Sequence, residues 1–335
     1  MSTAHTVPPT HKRWLWPAKP NGIDGLQLVE EPSCSCTPVL VRIHAVSLNY
    51  RDSSLIAEGR YPGIMEGGLS PGCDCAGEIV AVGSGTGTWA LPNFNMAAEC
   101  LGAVKQGVLF QYRVFPVGGL VRLPEYLSYE EASTFPCVAI TAYNVLFGGP
   151  QPLQAGQTVV VQGTGGASIS AAQLAHASGA RIIVTSSSDE KLAAVQKHIG
   201  ADVEIINYKK HPEWHERVLE ITGGRGAEHV VDVAGGDEIP RSVKAVARGG
   251  TVSVVGALNS MEIRISVLDM IMKGIIIRGI SAGDISHLRA SFQLFDAAKI
   301  KPIVSKVFEF AQAKEAFKTH AQQDFVGKVV IKVVA

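Results

Sequence analysis

The stretch TVVVQGTGGASISAAQLAHASGARIIVTSSSDEK, from Thr158 to Lys191, constrains the fold more than any other part of this chain. Thr158 to Gln162 is a short β-branched apolar run bounded by turn residues, the pattern of a strand buried on both faces. Gly163, Gly165 and Gly166 follow at once, then a helical run from Ile169 to Ser178 and a second apolar run from Arg181 to Thr185. Strand, glycine turn, helix and strand within about thirty residues make a βαβ unit with its two strands parallel.

A turn leading straight into a helix faces that helix's first N–H groups, which have no intrahelical partner and sit where the macrodipole favours an anion. Gly163, Thr164, Gly165, Gly166, Ala167 and Ser168 are therefore the candidate grip on a pyrophosphate. Side chains at the glycine positions would hold the phosphate away from the backbone. Ser168 stands where a third Gly or Ala usually permits close helix packing.

The end of the second strand reads the cofactor. A carboxylate about 20 residues on, bonded to the ribose 2′-hydroxyl, marks NAD-binding versions of this unit. Here the region is Thr185, Ser186, Ser187, Ser188. Hydroxyls at Ser186 and Ser187 with the ammonium of Lys191 suit a 2′-phosphate, so the expected cofactor is NADP. The same residues also read as a helix start, with Ser188 as cap and Lys191 on a solvated face. The two readings are compatible.

The 335 residues point to about two domains. With 46% hydrophobic and 18% charged residues the chain can bury a sizeable core. Thirty basic and thirty acidic residues cancel, with no long run of either sign, which argues against nucleic acid and anionic membrane as partners. No window reaches the ~18 apolar residues of a membrane span, and MSTAHTVPPTHKR has no apolar signal core, so a cytoplasmic protein with reduced thiols is expected.

Residues 1 to 13 read as a frayed tail. From Trp14 to about Pro124 short strands alternate with Gly and Pro punctuation: Leu26 to Val29, Val39 to Val46, Ala76 to Val82 and Gly107 to Val114, with one short helix from Tyr50 to Glu58 after Asn49. The pattern is that of an antiparallel, barrel-like module. Ser128 to Phe147 is helical in period. Strands at Ile205 to Tyr208, His229 to Val233, Thr251 to Val255 and around Gly274 to Gly279 then alternate with helices at Glu213 to Ile221 and Ile239 to Arg248. That alternation predicts an α/β fold with a doubly wound parallel sheet of about six strands. A helix at Ala313 to His320 and a final strand at Lys328 to Val333 close the chain, the strand being expected to return to the first module.

The stretches VSLNYRDS at 46–53, PGCDCAGEIVAVG at 71–83, FPCVAITAYNVL at 135–146, VQGTGGAS at 161–168, GADVEIINY at 200–208, TGGRGAEHVVDVAGG at 222–236, GGTVSVVG at 249–256 and FVGKVVI at 325–331 resemble the medium-chain dehydrogenase/reductase superfamily. The likeness is to its zinc-independent quinone oxidoreductase and zinc-type alcohol dehydrogenase-like branch. It implies a GroES-like β-barrel-type module over 14–124, completed by about 291–335, and a Rossmann NADP-binding domain over 125–290. It further implies that Tyr208 packs on the adenosine end of the cofactor. Val255, Gly256, Gly279 and Ser281 would hold the nicotinamide carboxamide, Thr141 would lie beside the ring, and Asn49 and Tyr50 would line the substrate side. A homodimer is expected from the resemblance alone. Two of these residues keep ordinary alternatives: Tyr208 as half-buried packing and Asn49 as a cap on the helix at Tyr50.

A catalytic zinc needs three protein ligands and an open fourth position. At the places matching the zinc-dependent relatives this chain has Asn49 with Tyr50 and Arg51, then Cys73 with Asp74, then Cys137. The first thiol and the imidazole are missing, so no metal is expected. Cys34 and Cys36 have no later pair for a structural zinc, and the His211 and His215 spacing lacks the His-Glu-x-x-His order and reads as a solvated helix face. After VAVGSG at 80–85 only Thr86 to Ala90 precede LPNFN at 91–95, where relatives carry a further turn and strand. The expected activity is hydride transfer to an activated C=C, quinone or carbonyl, with Asn49, Tyr50 and Thr141 as candidate donors to the developing oxyanion. Alcohol oxidation in a small-molecule pathway, and dinucleotide binding with impaired catalysis, are the competing readings.

Overall fold

The computed structural model describes residues 7–17, 22–33, 39–61, 68–83, 100–260 and 262–334. The shortened region at 86–95, and Cys34 with Cys36, lie outside them. The chain divides into two compact units, one of 1–137, 304–324 and 328–335 and the other of 138–303 with 325–327.

The first unit opens with β1 (Thr10–Leu15) and β2 (Gln27–Pro32), paired antiparallel. It continues through β3 (Val39–Ser47), β4 (Asp74–Val82) and β5 (Tyr112–Phe115). The second unit carries six strands: β6 (Thr158–Gln162), β7 (Arg181–Ser186), β8 (Glu204–Asn207), β9 (Ala227–Asp232), β10 (Val246–Val254) and β11 (Ile276–Gly279). The chain then returns to the first unit with β12 (Val304–Glu309) and β13 (Lys328–Lys332).

In the first unit β3 is the hub. It pairs antiparallel with β4, β5 and β13, and β12 adds to β13 in parallel. Ile43, Ala45 and Val46 are fully buried, so β3 is covered on both faces. Of the tail expected to fray, the described part enters a strand at Thr10. Thr10 to Leu15 buries His11 on one face and Trp14 on the other, and pairing with β2 supplies the backbone bonds that a lone strand lacks. The strand expected from Gly107 starts only at Tyr112. Before it, Gly107 N and Val108 N donate to Ser70 O and Pro71 O at 2.8 and 3.0 Å, so the backbone there is committed outside a ladder. β12 has no counterpart among the expected strands.

The six parallel strands of the second unit run in the order β11-β10-β9-β6-β7-β8. β6 is followed outward by β7 and β8, and the chain then crosses to β9 on β6's other side. The carboxyl end of β6 is therefore a topological switch point, where open α/β sheets bind ligands. Val160, Ile183, Val230 and Val252 from neighbouring strands pack with Trp214 and Val218 on one face of the sheet. Each such buried side chain contributes about 1.5–3 kcal/mol. The period expected as one helix from Ser128 is two: Tyr129–Ala132, closed by a capping box of Ser128 and Glu131, and Phe135–Phe147. Ser133 and Thr134 bond their hydroxyls back to Glu130 O and Glu131 O at the break, and Pro136, which has no N–H, falls at the start of the second helix. Trp214–Ile221 forms the next helix as expected, but His215 is buried beside Trp214 rather than solvated, and only His211 is exposed. Val267–Lys273, a helix before the edge strand β11, turns Val267, Leu268, Ile271 and Met272 outward, each more than half exposed.

Candidate functional site

Among the described residues two polar constellations stand out, one in each unit. In the second unit it lies at the switch point. β6 ends at Gln162 and the chain turns at Gly163, whose φ of 76° is left-handed and suits glycine. Gly163 N donates to Thr185 O at 2.7 Å and Thr164 O accepts from Gly327 N at 2.9 Å, so the turn is tied to β7 and to the returning segment 325–327. Gly165 caps the helix Gly166–Ala177. The first helical bond runs from Ile169 N to Gly165 O, which leaves the N–H groups of Gly166, Ala167 and Ser168 without intrahelical acceptors.

A Cβ built on Gly165 meets nothing within 4 Å, and its φ of −75° is ordinary. Packing thus does not demand glycine there, and the room in front of the turn does the explaining. Ser168, the departure from the usual third Gly or Ala, donates its hydroxyl to Gln162 O at 2.7 Å and is buried without crowding the strand. Below the turn lies a network with no signal in local spacing. Gln162 Nε2 donates to Asp232 Oδ2 at 3.0 Å and to Ser242 Oγ at 2.9 Å. Ser242 donates to Asp232 at 2.5 Å, and Gly235 N caps Asp232 Oδ1 at 2.8 Å. Burial raises the Asp232 carboxyl, opposed by these hydrogen bonds. The sequence shows only that Asp232 ends an apolar strand.

Ser186 closes β7 and is buried, and Ser187 beside it is half-buried. Ser188 accepts from Lys191 N at 3.2 Å, so the capping reading is correct, and it leaves Ser186 and Ser187 at the strand end. Lys191 is half-buried on the first turn. Tyr208 is 42% exposed, its N–H bonded to Ser186 O at 3.0 Å. Asp189, the nearest carboxylate in sequence, is taken by Lys210 at 2.5 Å and Asn207 at 2.8 Å. Val255 N donates to Asp232 O at 2.7 Å. A Cβ on Gly256 would come within 2.6 Å of Val233 O, so close approach requires that glycine. Gly279 ends β11 with open space around its Cβ position, and Ser281 is exposed. Thr141 is buried on the helix Phe135–Phe147. The turns of β6, β7, β9 and β10 come together at the carboxyl edge of the parallel sheet.

The second constellation is in the first unit, around a single π-helical turn, Arg51–Ile56. Asn49 does not cap that turn with its side chain. Asp52 does the converse, accepting from Asn49 N at 2.9 Å, which frees the Asn49 amide. Its Nδ2 donates to Asp74 Oδ2 at 2.8 Å and to Cys73 Sγ at 3.3 Å, while its Oδ1 accepts from Lys328 Nζ at 2.7 Å. Lys328, 3% exposed, also bonds Leu48 O and lies 3.5 Å from Asp74 Oδ2. Tyr50 is half-buried beside them.

Cys73, Asp74 and Cys137 bring their ligand atoms within 4.8 Å of one another. The Arg51 guanidinium reaches into the same place. Nη1 donates to Cys100 Sγ and Nη2 to Leu101 O, Nε lies 3.6 Å from Asp52 Oδ1, and Cζ sits 5.6 Å from the Tyr61 ring centroid. Burial opposes its charge, and Cys73, Asp52, Cys100 and Cys137 around it outweigh that effect. A hydrogen bond to Cys137, then burial, holds the Cys73 thiol well above its usual range.

The donor set therefore does not fit a catalytic zinc. Asp74 already serves Asn49, Ser47, Cys73 and Lys328. The buried carboxylates Asp52 and Asp74 already have two side-chain cations, Arg51 and Lys328, as partners. Arg51 is the residue that reading the sequence missed as a functional candidate, and nothing in its immediate neighbours would have revealed it.

The alcohol dehydrogenase GroES-like domain family matches residues 36–125, and the zinc-binding dehydrogenase family matches 166–297. A zinc-type alcohol dehydrogenase-like protein of Schizosaccharomyces pombe is 39% identical over 88% of this chain and 90% of its own length. A quinone oxidoreductase-like protein 2 homolog of Nematostella vectensis is 30% identical over 88% of this chain and 81% of its own. Among solved structures, a putative alcohol dehydrogenase from Sinorhizobium meliloti 1021 superposes with a TM-score of 0.88 at 34% identity, covering 98% of this chain and 100% of that one.

Proposed function

Because the chain belongs to the medium-chain dehydrogenase/reductase superfamily, whose members similar to it are oxidoreductases, we propose that it is an NADP-dependent reductase of a small molecule bearing an activated C=C, a quinone or a carbonyl. The observation that carries this reading is the open room at Gly165 in front of a helix start whose first N–H groups have no intrahelical acceptor, with the hydroxyls of Ser186 and Ser187 at the end of the neighbouring strand β7.

The bound dinucleotide would supply a hydride from C4 of its nicotinamide. The chain's own groups bind and orient. The N–H groups of Gly166, Ala167 and Ser168 would hold the diphosphate. Ser186, Ser187 and Lys191 would bond a 2′-phosphate through charge-assisted hydrogen bonds, with no carboxylate on β7 to oppose it. Tyr208 would cover the adenosine end, and Val255, Gly256, Gly279, Ser281 and Thr141 would position the carboxamide and ring. Asn49, its amide committed to Cys73, Asp74 and Lys328, positions the substrate-side cluster, and the Tyr50 hydroxyl is the proposed donor there. No step is assigned to a metal, in keeping with the donor set.

Titration with NADPH and NADH tests the cofactor. NADPH should bind at least about tenfold tighter, worth about 1.4 kcal/mol, and tighter NADH binding would remove the 2′-phosphate assignment. Steady NADPH oxidation over enones, quinones and aldehydes tests the reaction. Tight NADPH binding without turnover on any of them would leave a nucleotide-binding protein in place of a reductase. Reduction of NADP by alcohols would show the reverse direction, which the likeness to alcohol dehydrogenase-like proteins makes the second reading.

A further inference from the structure

Among the described residues of the first unit, one cation lies among three thiols. The Arg51 side chain is 13% exposed, and its formal partners are weak: a sulfur at Cys100, one carbonyl at Leu101, and a carboxylate 3.6 Å from Nε, too far for a hydrogen bond. Nε itself is buried with no hydrogen-bond partner. A guanidinium has five donors and accepts nothing, and thiols are poor acceptors, so this cation is under-satisfied where it stands. A hard anionic oxygen would be a better partner than any sulfur it touches.

Its position sharpens the point. The thiols of Cys73 and Cys137 and the carboxylate of Asp74 converge within 4.8 Å, but Asp74 is already committed to its own hydrogen bonds, and both thiols are half-buried. Arg51 already brings a fixed positive charge there. Lys328 cannot share that task, because its ammonium is spent on Leu48 O, Asn49 Oδ1 and Asp74.

We propose that the Arg51 guanidinium is a catalytic residue that holds the substrate oxygen and takes the electrophilic role a metal would otherwise fill. The inference rests on the reductase reading above. As a C–H bond forms at the carbonyl carbon, or at the β-carbon of an enone, the π pair moves onto oxygen. The substrate is reduced, the nicotinamide is oxidised, and the guanidinium N–H groups hold the alkoxide or enolate until water protonates it. The Tyr61 ring and Asp52 keep the guanidinium in place through a cation–π contact and an ion pair.

The test uses the full chain and whichever enone, quinone or aldehyde of the panel turns over. Arg51→Gln should lower kcat/KM by about 10²–10³-fold while leaving the NADPH Kd unchanged, which also reports that the second unit is folded. Arg51→Lys should retain part of the rate, and added guanidinium ion should restore Arg51→Ala. An independent readout is the infrared C=O stretch of the bound carbonyl compound, which should move to lower wavenumber in the wild type and in Arg51→Lys but not in Arg51→Gln. Should Arg51→Gln fail to fold, Arg51→Lys and its carbonyl stretch decide the matter.

An unchanged kcat/KM in Arg51→Gln, or an unshifted carbonyl in the wild type, would overturn the role of Arg51 and leave the reductase reading standing. About one zinc per chain, with activity lost to a chelator, would likewise overturn it. A wild type inactive across the whole panel would instead remove the reductase reading, and this inference with it.

Discussion

The two constellations are built on opposite principles. At the switch point of the second unit the proposed site is made of backbone N–H donors and empty room, with glycine at Gly165 where a side chain would fill that room. Around Arg51 in the first unit the working groups are side chains that satisfy one another: Asn49, Asp52, Asp74 and Lys328 are all less than 9% exposed. The difference teaches what each can lose. A site made of room is damaged by filling it and hardly felt by the fold, whereas a site made of mutual bonds is damaged by removing any member, because the rest are then buried without partners.

The largest expected effect is on the side-chain cluster. Lys328→Met removes the ammonium from Asn49 Oδ1, Leu48 O and Asp74 together. A buried carboxylate that loses its cation costs about 3–5 kcal/mol, and the bonds from Asn49 and Ser47 to Asp74 place this case at the lower end of that range. Urea denaturation should therefore show a loss of about 3 kcal/mol. A loss below about 1 kcal/mol would mean that the cluster does not depend on its members and would break the comparison.

Next in size is the filling of the open turn. Gly165→Val puts a side chain where nothing lies within 4 Å, at a φ that any residue adopts. NADPH affinity should fall about 100-fold, roughly 2.7 kcal/mol, with the thermal midpoint within about 3 °C of the wild type. The control is Gly107, where a Cβ would stand 2.2 Å from Ser70 O, so Ala there should destabilise the first unit without touching cofactor affinity. Equal NADPH affinity in Gly165→Val would show that no diphosphate lies at the turn.

The same contrast explains what could be read from the sequence. The glycine turn and its βαβ unit were legible because the signal is local: three valines between Thr158 and Gln162, three glycines and a helix, in order. The sheet of the second unit was legible for the same reason, since each buried strand is a short apolar run between turn residues. Arg51 was not legible. Its partners Cys73, Cys100 and Cys137 are brought to it by β4 and by segments far along the chain, and the local context suggested only a helix start. Asn49 illustrates the reversal, since a cap was the ordinary reading and Asp52 capping back released its amide for other work. β1 was hidden because THKRWL carries no period-two apolar pattern, and its identity as a strand depends on a partner that starts twelve residues after it ends.

The smallest effect probes the edge of the cluster through pH. His320, on the helix Ala313–Ala321, is 4% exposed, with Nδ1 2.7 Å from Ser53 Oγ. Burial, with the nearby charge of Lys328, lowers its pKa to about 3. Its unfolded value is about 6.5, so between these limits the unfolded chain binds a proton that the folded chain refuses. Stability must then rise with pH across that window and fall as the solution is acidified below about 6.5, with a slope of up to about 1.4 kcal/mol per pH unit from this residue. Burial lowers His11, His215 and His229 as well, so the wild-type slope contains their contributions in the same direction. His320→Gln keeps a polar group opposite Ser53 and removes only one residue's share. Urea midpoints measured from pH 7 to pH 4.5 should show a shallower fall in the variant, and identical slopes would mean that His320 is protonated in the folded protein despite the lysine beside it.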